Sequence, residues 1–329
     1  MDWTNTKVLV TGAGGFIGSH LTETLVNKGA HVRALVRYNS RNNWANIESL
    51  TAEAKSKLEV ISGDVHDPFF VDSAVEGVEV IFHLASLIAI PYSYVAPQPY
   101  IETNIVGTLN VLQAARRHKI KKMVHTSTSE AYGTAIYTPI DEQHPLQGQS
   151  PYSATKIGAD KLAESFFRSF GLPVATIRPF NTFGPRQSAR AVIPAIISQA
   201  LSRDQIELGS LSPVRDMTFV SDTVNGFIRI AEVPESVGEV INIGTGFGVT
   251  IGELATRVLT LLNMNKPIVA AEERIRPERS EVFKLICNNA KAKQLLNWTP
   301  QVSLDEGLRA VIEWIRANQA SFKSNIYNV

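Results

Sequence analysis

The stretch Lys7-Val8-Leu9-Val10-Thr11-Gly12-Ala13-Gly14-Gly15-Phe16-Ile17-Gly18 decides the fold. Lys7 to Val10 is a short β-branched run, so it reads as a strand, and the amphipathic stretch Ile17 to Asn27 reads as a helix. Between them the glycines fall as Gly12-x-x-Gly15-x-x-Gly18. In a strand–loop–helix unit one such glycine makes the tight turn and one lets the backbone approach a pyrophosphate. The third lets helix and strand pack closely. The helix N-terminus adds free N–H groups and a partial positive charge. A glycine triplet alone carries little weight, but placement directly between a first strand and a first helix is its confirming context. Gly12, Gly15, Phe16, Ile17 and Gly18 are therefore expected to hold a dinucleotide.

Working outward, His31–Val36, Val60–Ile61, Val78–His83, Lys122–Thr126 and Val174–Arg178 read as further strands. Pro68–Glu76, Tyr100–His118 and Tyr152–Phe170 read as the helices between them. Strands alternating with helices predict an α/β fold: a Rossmann-type, doubly wound parallel sheet covered on both faces. After about Pro179 the rhythm changes and Pro and Gly become frequent, with Ile251–Leu262 and Leu304–Ala317 the two clear helices. The expected division is a dinucleotide-binding domain over 1–179 and a smaller α/β substrate-binding lobe over 180–329, interleaved with the first. The polar tail after Gln319 is expected to fray.

Composition narrows the function. The 329 residues carry 32 basic and 31 acidic side chains, a net charge of +1, so a general polyanion or nucleic-acid binder is disfavoured. One cysteine, Cys287, excludes a disulfide framework and a Cys-rich metal site, and no metal is expected. No apolar run approaches the ~20 residues of a membrane span. The opening MDWTNTKVLVTG leads straight into the first strand, so a cytoplasmic protein without a signal peptide is expected.

The end of the second strand reports on the dinucleotide. An NAD site places an acid there for the ribose 2′-hydroxyl, whereas an arginine accommodates a 2′-phosphate. Here the sequence is Val36-Arg37-Tyr38 with no acid, which favours NADP over the alternative, NAD. Asp64 and Val65 follow the next strand, within reach of an adenine. Leu84, Ala85 and Ser86 follow another and are expected to line the ribose and nicotinamide side. Tyr152 and Lys156 form Y-x-x-x-K, a spacing that puts both on one helical face. An ammonium near the phenol favours proton exchange with a substrate hydroxyl. Ser127-Thr128-Ser129-Glu130 ends the preceding strand on the carboxyl edge of the sheet, where ligands sit in open α/β folds. A Ser/Thr–Tyr–Lys set beside a nicotinamide loop is a hydride-transfer site.

With these residues identified, the chain resembles the extended short-chain dehydrogenase/reductase superfamily, in its nucleotide-sugar epimerase/dehydratase branch. The resemblance runs through TGAGGFIG, GDVHD, FHLAS, NIVGTLNVLQAA, HTSTSEAYG, YSATK, RPFNTFGPR, RDMTFVSDTV and RPERSEV, in order. The 4-epimerases lack an acid in the STSEAYG segment, whereas Thr128-Ser129-Glu130 is similar to the version in GDP-mannose 4,6-dehydratases. RYNSRNNW and IAIPYSYVAPQPYIETNIVGTLNVLQAA look closest to 4,6-dehydratases of legionaminic-acid-type pathways, which act on a nucleotide-linked N-acetylglucosamine.

The resemblance implies a reaction. Tyr152, aided by Lys156, takes the C4 hydroxyl proton while the C4 hydride passes to the cofactor, with Thr128 and Ser127 holding that hydroxyl. The new ketone acidifies C5–H, Glu130 removes that proton, water leaves from C6, and the hydride returns to C6 with a proton to C5. The product is a 4-keto-6-deoxy sugar nucleotide and the cofactor is regenerated. Ser129 stands where many dehydratases carry an aspartic acid. A serine is too weak an acid to protonate the leaving hydroxyl, so either Glu130 shuttles the proton or Ser129 positions a water. The resemblance further implies nucleotide-sugar contacts from Asn181, Val192, Arg215 and Arg276. It also implies a homodimer through the helices Tyr100–His118 and Tyr152–Phe170. UDP-glucuronate decarboxylation, 4-epimerisation and a non-catalytic NADP-sensing role are the competing readings. The base-reading segment is not legible, so UDP, GDP, CDP and dTDP all stay open.

Overall fold

A computed structural model describes residues 1–275 and 277–322. Seven strands form one sheet: β1 Lys7–Thr11, β2 His31–Arg37, β3 Leu58–Gly63, β4 Val80–His83, β5 Lys122–Thr126, β6 Val174–Pro179 and, after three strands of the second lobe, β10 Val240–Ile243. Their order is β10-β6-β5-β4-β1-β2-β3 and every neighbouring pair is parallel. The direction of winding reverses between β1 and β4, and that is where a doubly wound sheet opens a crevice at its carboxyl edge. β4 is buried along its whole length, as a central strand covered on both faces must be.

Helices α1 Phe16–Asn27, α2 Pro68–Val75, α3 Gly107–Arg117 and α4 Pro151–Phe170 cover the sheet. The helix read over Tyr100–His118 is present, starts earlier and is not uniform. Pro97–Tyr100 is one α-turn, Ile101–Val106 widens into a π-turn, and α3 completes it. Ser150 caps α4 in a reciprocal capping box, Pro151 starts it, and Gly171 ends it in the left-handed conformation.

The second lobe contains β7 Asn181–Phe183, β8 Ile206–Leu208, β9 Val214–Phe219, β11 Gly248–Thr250, β12 Ile268–Ala270 and β13 Lys284–Leu285. Its longer helices are α5 Val192–Ser202, α6 Val220–Glu232, α7 Ile251–Leu262 and α8 Leu304–Ala317. Two of these were not legible as helices. The first six residues of α5, Val192–Ile197, are all apolar, so no polar stripe marks its period there. The chain also returns to the first half: β10 pairs with β6, and α6 residues Val220, Val224, Phe227 and Ile228 share a core with Val10, Phe82 and Val124. A separate core around Ile193, Ile197, Leu254, Leu308 and Ile312 holds the second lobe together. Past Gln319 the chain makes one further turn through Ser321, and residues 323–329 lie outside the described residues.

Candidate active site

A continuous cleft of about 1450 Å³ runs along the carboxyl edge of the sheet, between the two halves. One end is the glycine loop. Gly12 sits at φ +71°, and a Cβ there would lie 2.8 Å from the Ala85 nitrogen. A Cβ on Gly18 would lie 2.2 Å from the Gly12 carbonyl oxygen. Only glycine fits either position, and the result is bare backbone facing the cleft at the start of α1. The loop is pinned from below. Thr11 Oγ1 accepts from Leu84 N and Ala85 N at 3.1 Å each and lies 2.8 Å from His83 Nδ1. With both backbone donors on its lone pairs, the Thr11 hydroxyl donates to Nδ1, and His83 Nε2–H donates to Thr108 Oγ1 at 3.0 Å. Burial holds the His83 pKa well below the usual value, so this relay is neutral.

The cofactor residues expected from sequence all line the cleft: Gly12, Gly15, Phe16, Ile17, Gly18, Arg37, Asp64, Val65, Leu84, Ala85 and Ser86. Two carry additional contacts. Arg37 Nε lies 3.8 Å from Asp64 Oδ2, with the arginine side chain 75% exposed. Ser86 Oγ donates to Asn104 Oδ1 at 2.8 Å. Asn104, in the π-turn, also accepts from Leu87 N and donates to Leu87 O and Thr155 Oγ1, so it uses its full capacity to fix the floor of the cleft.

The middle of the cleft gathers the reactive side chains. Thr128-Ser129-Glu130 leaves β5 in a single 3₁₀ turn, Ser129–Tyr132, whose N-cap is Thr128: its Oγ1 accepts from Glu130 N at 3.2 Å. Thr128, Ser129, Glu130, Tyr152 and Lys156 all line the cleft, as does Ser127. Tyr152 is buried, and burial pushes its phenol pKa up, with the Thr128 hydroxyl opposing and the Glu130 carboxylate adding to the rise. Thr128 and Glu130 therefore both act on the Tyr152 hydroxyl. Burial pulls Lys156 down to about 8, opposed by Asp160 one helical turn on. Its ammonium donates to the Thr126 carbonyl at 2.5 Å. The sequence reading expected the lysine charge to favour tyrosinate; in the structure burial is the largest influence on the phenol and raises its pKa.

Ser127 differs from expectation. Its hydroxyl turns inward and donates to Asp160 Oδ2 at 2.5 Å, so it is not presented to a sugar hydroxyl. Asp160 also accepts from Arg178 Nη2 at 2.7 Å and pairs with His125 Nε2 at 3.0 Å. Burial alone would raise the Asp160 carboxyl, but Arg178, His125 and Ser127 hold it well below the ordinary aspartate range. This buried cluster joins β5, α4 and β6 beneath Tyr152 and Lys156. Asp160 and Arg178 lie too far apart in sequence for a motif to announce the pairing.

At the far end, Asn181, Val192 and Arg215 line the cleft, and Arg215 donates to Glu281 at 3.3 Å. Arg276 lies outside the described residues. Residues missed by the sequence reading include Trp44, Ala45, Asn46, Arg186 and Gln187, together with the wall Leu87-Ile88-Ala89-Ile90-Pro91. All of the wall but Leu87 lay inside the quoted resemblance but was assigned no role. Among the described residues no group of His, Cys, Asp and Glu is placed to hold a metal, and no helix is long and apolar enough to cross a membrane.

The sequence profile of the GDP-mannose 4,6 dehydratase family matches residues 9–311. The chain belongs to that family. Its relatives within the wider extended short-chain dehydrogenase/reductase group span two activities. A UDP-glucose 4-epimerase of Mycolicibacterium smegmatis is 34% identical over 317 residues, 94% of this chain and 98% of that one. DesIV, a dTDP-glucose 4,6-dehydratase of Streptomyces venezuelae solved with NAD bound, superposes with a TM-score of 0.87 at 29% identity, covering 96% of this chain and 98% of that one. A UDP-glucuronic acid 4-epimerase of Bacillus cereus, solved with UDP-glucuronic acid and NAD, superposes at 0.86 with 27% identity, covering 95% and 100%. This member of the GDP-mannose 4,6 dehydratase family is thus a sugar-nucleotide dehydratase/epimerase-type enzyme with the Rossmann-like fold of that group.

Proposed function

We propose that the chain is a nucleotide-sugar 4,6-dehydratase acting on an NDP-N-acetylglucosamine. The observation that carries this reading is the Glu130 carboxylate, which shares the cleft with Tyr152 and is close enough to act on its phenol. An epimerase needs one proton-exchanging group at C4. A 4,6-dehydratase needs a second base for C5, and Glu130 supplies it.

Tyr152 exchanges a proton with the C4 hydroxyl, with the Thr128 hydroxyl opposing the burial that raises the phenol pKa. Thr128 spends a lone pair on Glu130 N, and its hydroxyl proton, directed at the Tyr152 phenol, can be shared with a C4 oxygen bound beside it. Bound along the glycine loop, a nicotinamide cofactor supplies the acceptor for the C4 hydride and its return to C6. Glu130 takes the C5 proton once C4 is a carbonyl. The C6–O bond then breaks, and the same carboxyl delivers the proton that makes the leaving group water, since Ser129 is too weak an acid; as the hydride returns to C6, a solvent proton passed on by Glu130 completes C5.

The wall Leu87–Pro91 offers only apolar side chains and backbone, which suits an acetamido methyl better than a second hydroxyl. Arg37, with no acid at the end of β2, favours NADP; the NAD in both solved relatives is the competing outcome. Asn181, Val192, Arg215 and Arg276 are assigned to the nucleotide sugar. Half-exposed Ile101, with partly buried Ile105, Leu109, Ile157 and Leu162, supports a homodimer across the π-turn, α3 and α4. A reducing, cytoplasmic setting fits the single buried thiol, Cys287.

The test is incubation with UDP-, GDP-, CDP- and dTDP-linked hexoses and N-acetylhexosamines, read by mass spectrometry. Loss of one water is expected. Loss of CO₂ from UDP-glucuronate, or a product of unchanged mass, would reassign the chain to the decarboxylases or the 4-epimerases.

A further inference from the structure

The segment that leaves β7 crosses the cleft and rests on α1. His20 is kept neutral chiefly by burial, so its Nε2–H donates to the Pro185 carbonyl at 2.9 Å. The next residue, Arg186, has φ +68°, a left-handed conformation that a side chain with a Cβ adopts at a cost. Its carbonyl accepts from Asn46 Nδ2 at 3.3 Å, and Asn46 N in turn donates to the Gly14 carbonyl at 3.1 Å. The glycine loop, the turn after β2 and the second lobe therefore meet at Arg186.

The Arg186 side chain is only 9% exposed and lines the cleft. One nitrogen, Nη2, donates to Glu23 Oε2 at 2.8 Å. The other two, Nε and Nη1, are buried with no hydrogen-bond partner among the described residues. A buried guanidinium edge without an acceptor is costly, and a single carboxylate on Nη2 does not relieve it. Two neighbours add to the pattern. Asn181 Oδ1 and Gln187 Oε1 line the same cleft, buried and without a donor among the described residues. An N–H donor without an acceptor matches a phosphate oxygen, and lone amide oxygens match ribose hydroxyls.

We propose that Arg186 is a phosphate-binding residue: its unpartnered N–H groups donate to the oxygens of a nucleotide diphosphate lying in the cleft, while Glu23 holds Nη2. The assignment rests on the nucleotide-binding reading above and extends it to a residue at the seam of the two halves. A ligand gripped there joins the glycine-loop half to the substrate lobe. Two diphosphates share this chemistry, that of the dinucleotide and that of the sugar nucleotide.

Calorimetric titration separates them. Wild type, Arg186→Met and Glu23→Gln are each titrated with NADP, with NAD and with UDP, dTDP and GDP, with folding checked by circular dichroism. Arg186→Met should weaken one diphosphate about 10–100-fold, and whichever class weakens is the one held. Glu23→Gln breaks the same ion pair but releases the guanidinium, so it should tighten that ligand. A merely structural ion pair would move both variants in the same direction. Wild-type affinities in a folded Arg186→Met protein overturn the proposal alone. So does weakening by Glu23→Gln, should Arg186→Met not fold. A wild-type protein that binds neither class overturns the proposal together with the reading beneath it.

Discussion

Replacing Asp160 with asparagine should destabilise the protein far more than a typical polar substitution. Asp160 is 5% exposed and takes Ser127, Arg178 and His125 on its two oxygens, while Arg178 is itself 2% exposed. Asparagine keeps the shape but removes the charge, and it sets either an amide nitrogen or a neutral oxygen against the guanidinium. Arg178 then stays buried without its counter-charge. Breaking a buried pair from one side costs about 3–5 kcal/mol. For a chain of this size, at about 2 °C per kcal/mol, that is a fall in Tm of roughly 6–10 °C. Differential scanning calorimetry near neutral pH measures it. The pH dependence has a definite sign. The folded Asp160 carboxyl lies below its unfolded value, so its contribution is present above the ordinary aspartate pKa and is lost as pH falls through it. The gap between wild type and Asp160→Asn should therefore narrow below about pH 4. A change in Tm no larger than that of a surface Asp→Asn control would refute the claim that this cluster supports the floor of the site.

Lys156→Met should abolish turnover yet leave the fold at least as stable as wild type. Burial lowers Lys156 to about 8, so the cost of its buried charge is present below that pH and relieved above it. The variant's stability advantage should be largest near neutral pH and shrink in alkali, and a lower Tm than wild type at neutral pH would contradict this. Gly18→Ala should remove dinucleotide binding, because its Cβ would press on the Gly12 carbonyl oxygen at 2.2 Å; unchanged binding by titration would mean that the loop does not carry the cofactor. Light scattering should return the mass of a dimer, and a monomer would leave Ile101 and its partly buried neighbours without a covering surface.

Much of the chemistry was legible because it is local. Gly12 to Gly18, Thr128 to Glu130, and Tyr152 with Lys156 each lie within one turn or one strand–loop–helix unit, so spacing alone brings them together. The parallel sheet from β1 to β6 was legible for the same reason: apolar runs and amphipathic runs alternate. What escaped depends on distance. Val240–Ile243 is four residues long, and nothing within it says that it leaves the second lobe to pair with β6. The inward turn of Ser127 follows from Asp160 and Arg178, 33 and 51 residues further on. The state of Tyr152 follows from burial, which a helical spacing cannot report. The corner where Asn46, Glu23 and Arg186 meet joins three segments that share no motif.

The account stands on Glu130 as the base that takes the C5 proton, and Glu130→Gln tests it most directly. The variant is mixed with the nucleotide sugar that wild type dehydrates, in deuterium oxide, while reduced nicotinamide is followed by absorbance and the sugar by mass spectrometry and NMR. The expected result is that reduced cofactor still forms, because Tyr152 and Lys156 are intact, while dehydration slows by about 10²–10⁴-fold and no deuterium enters at C5. Dehydration at the wild-type rate with deuterium at C5 would contradict it.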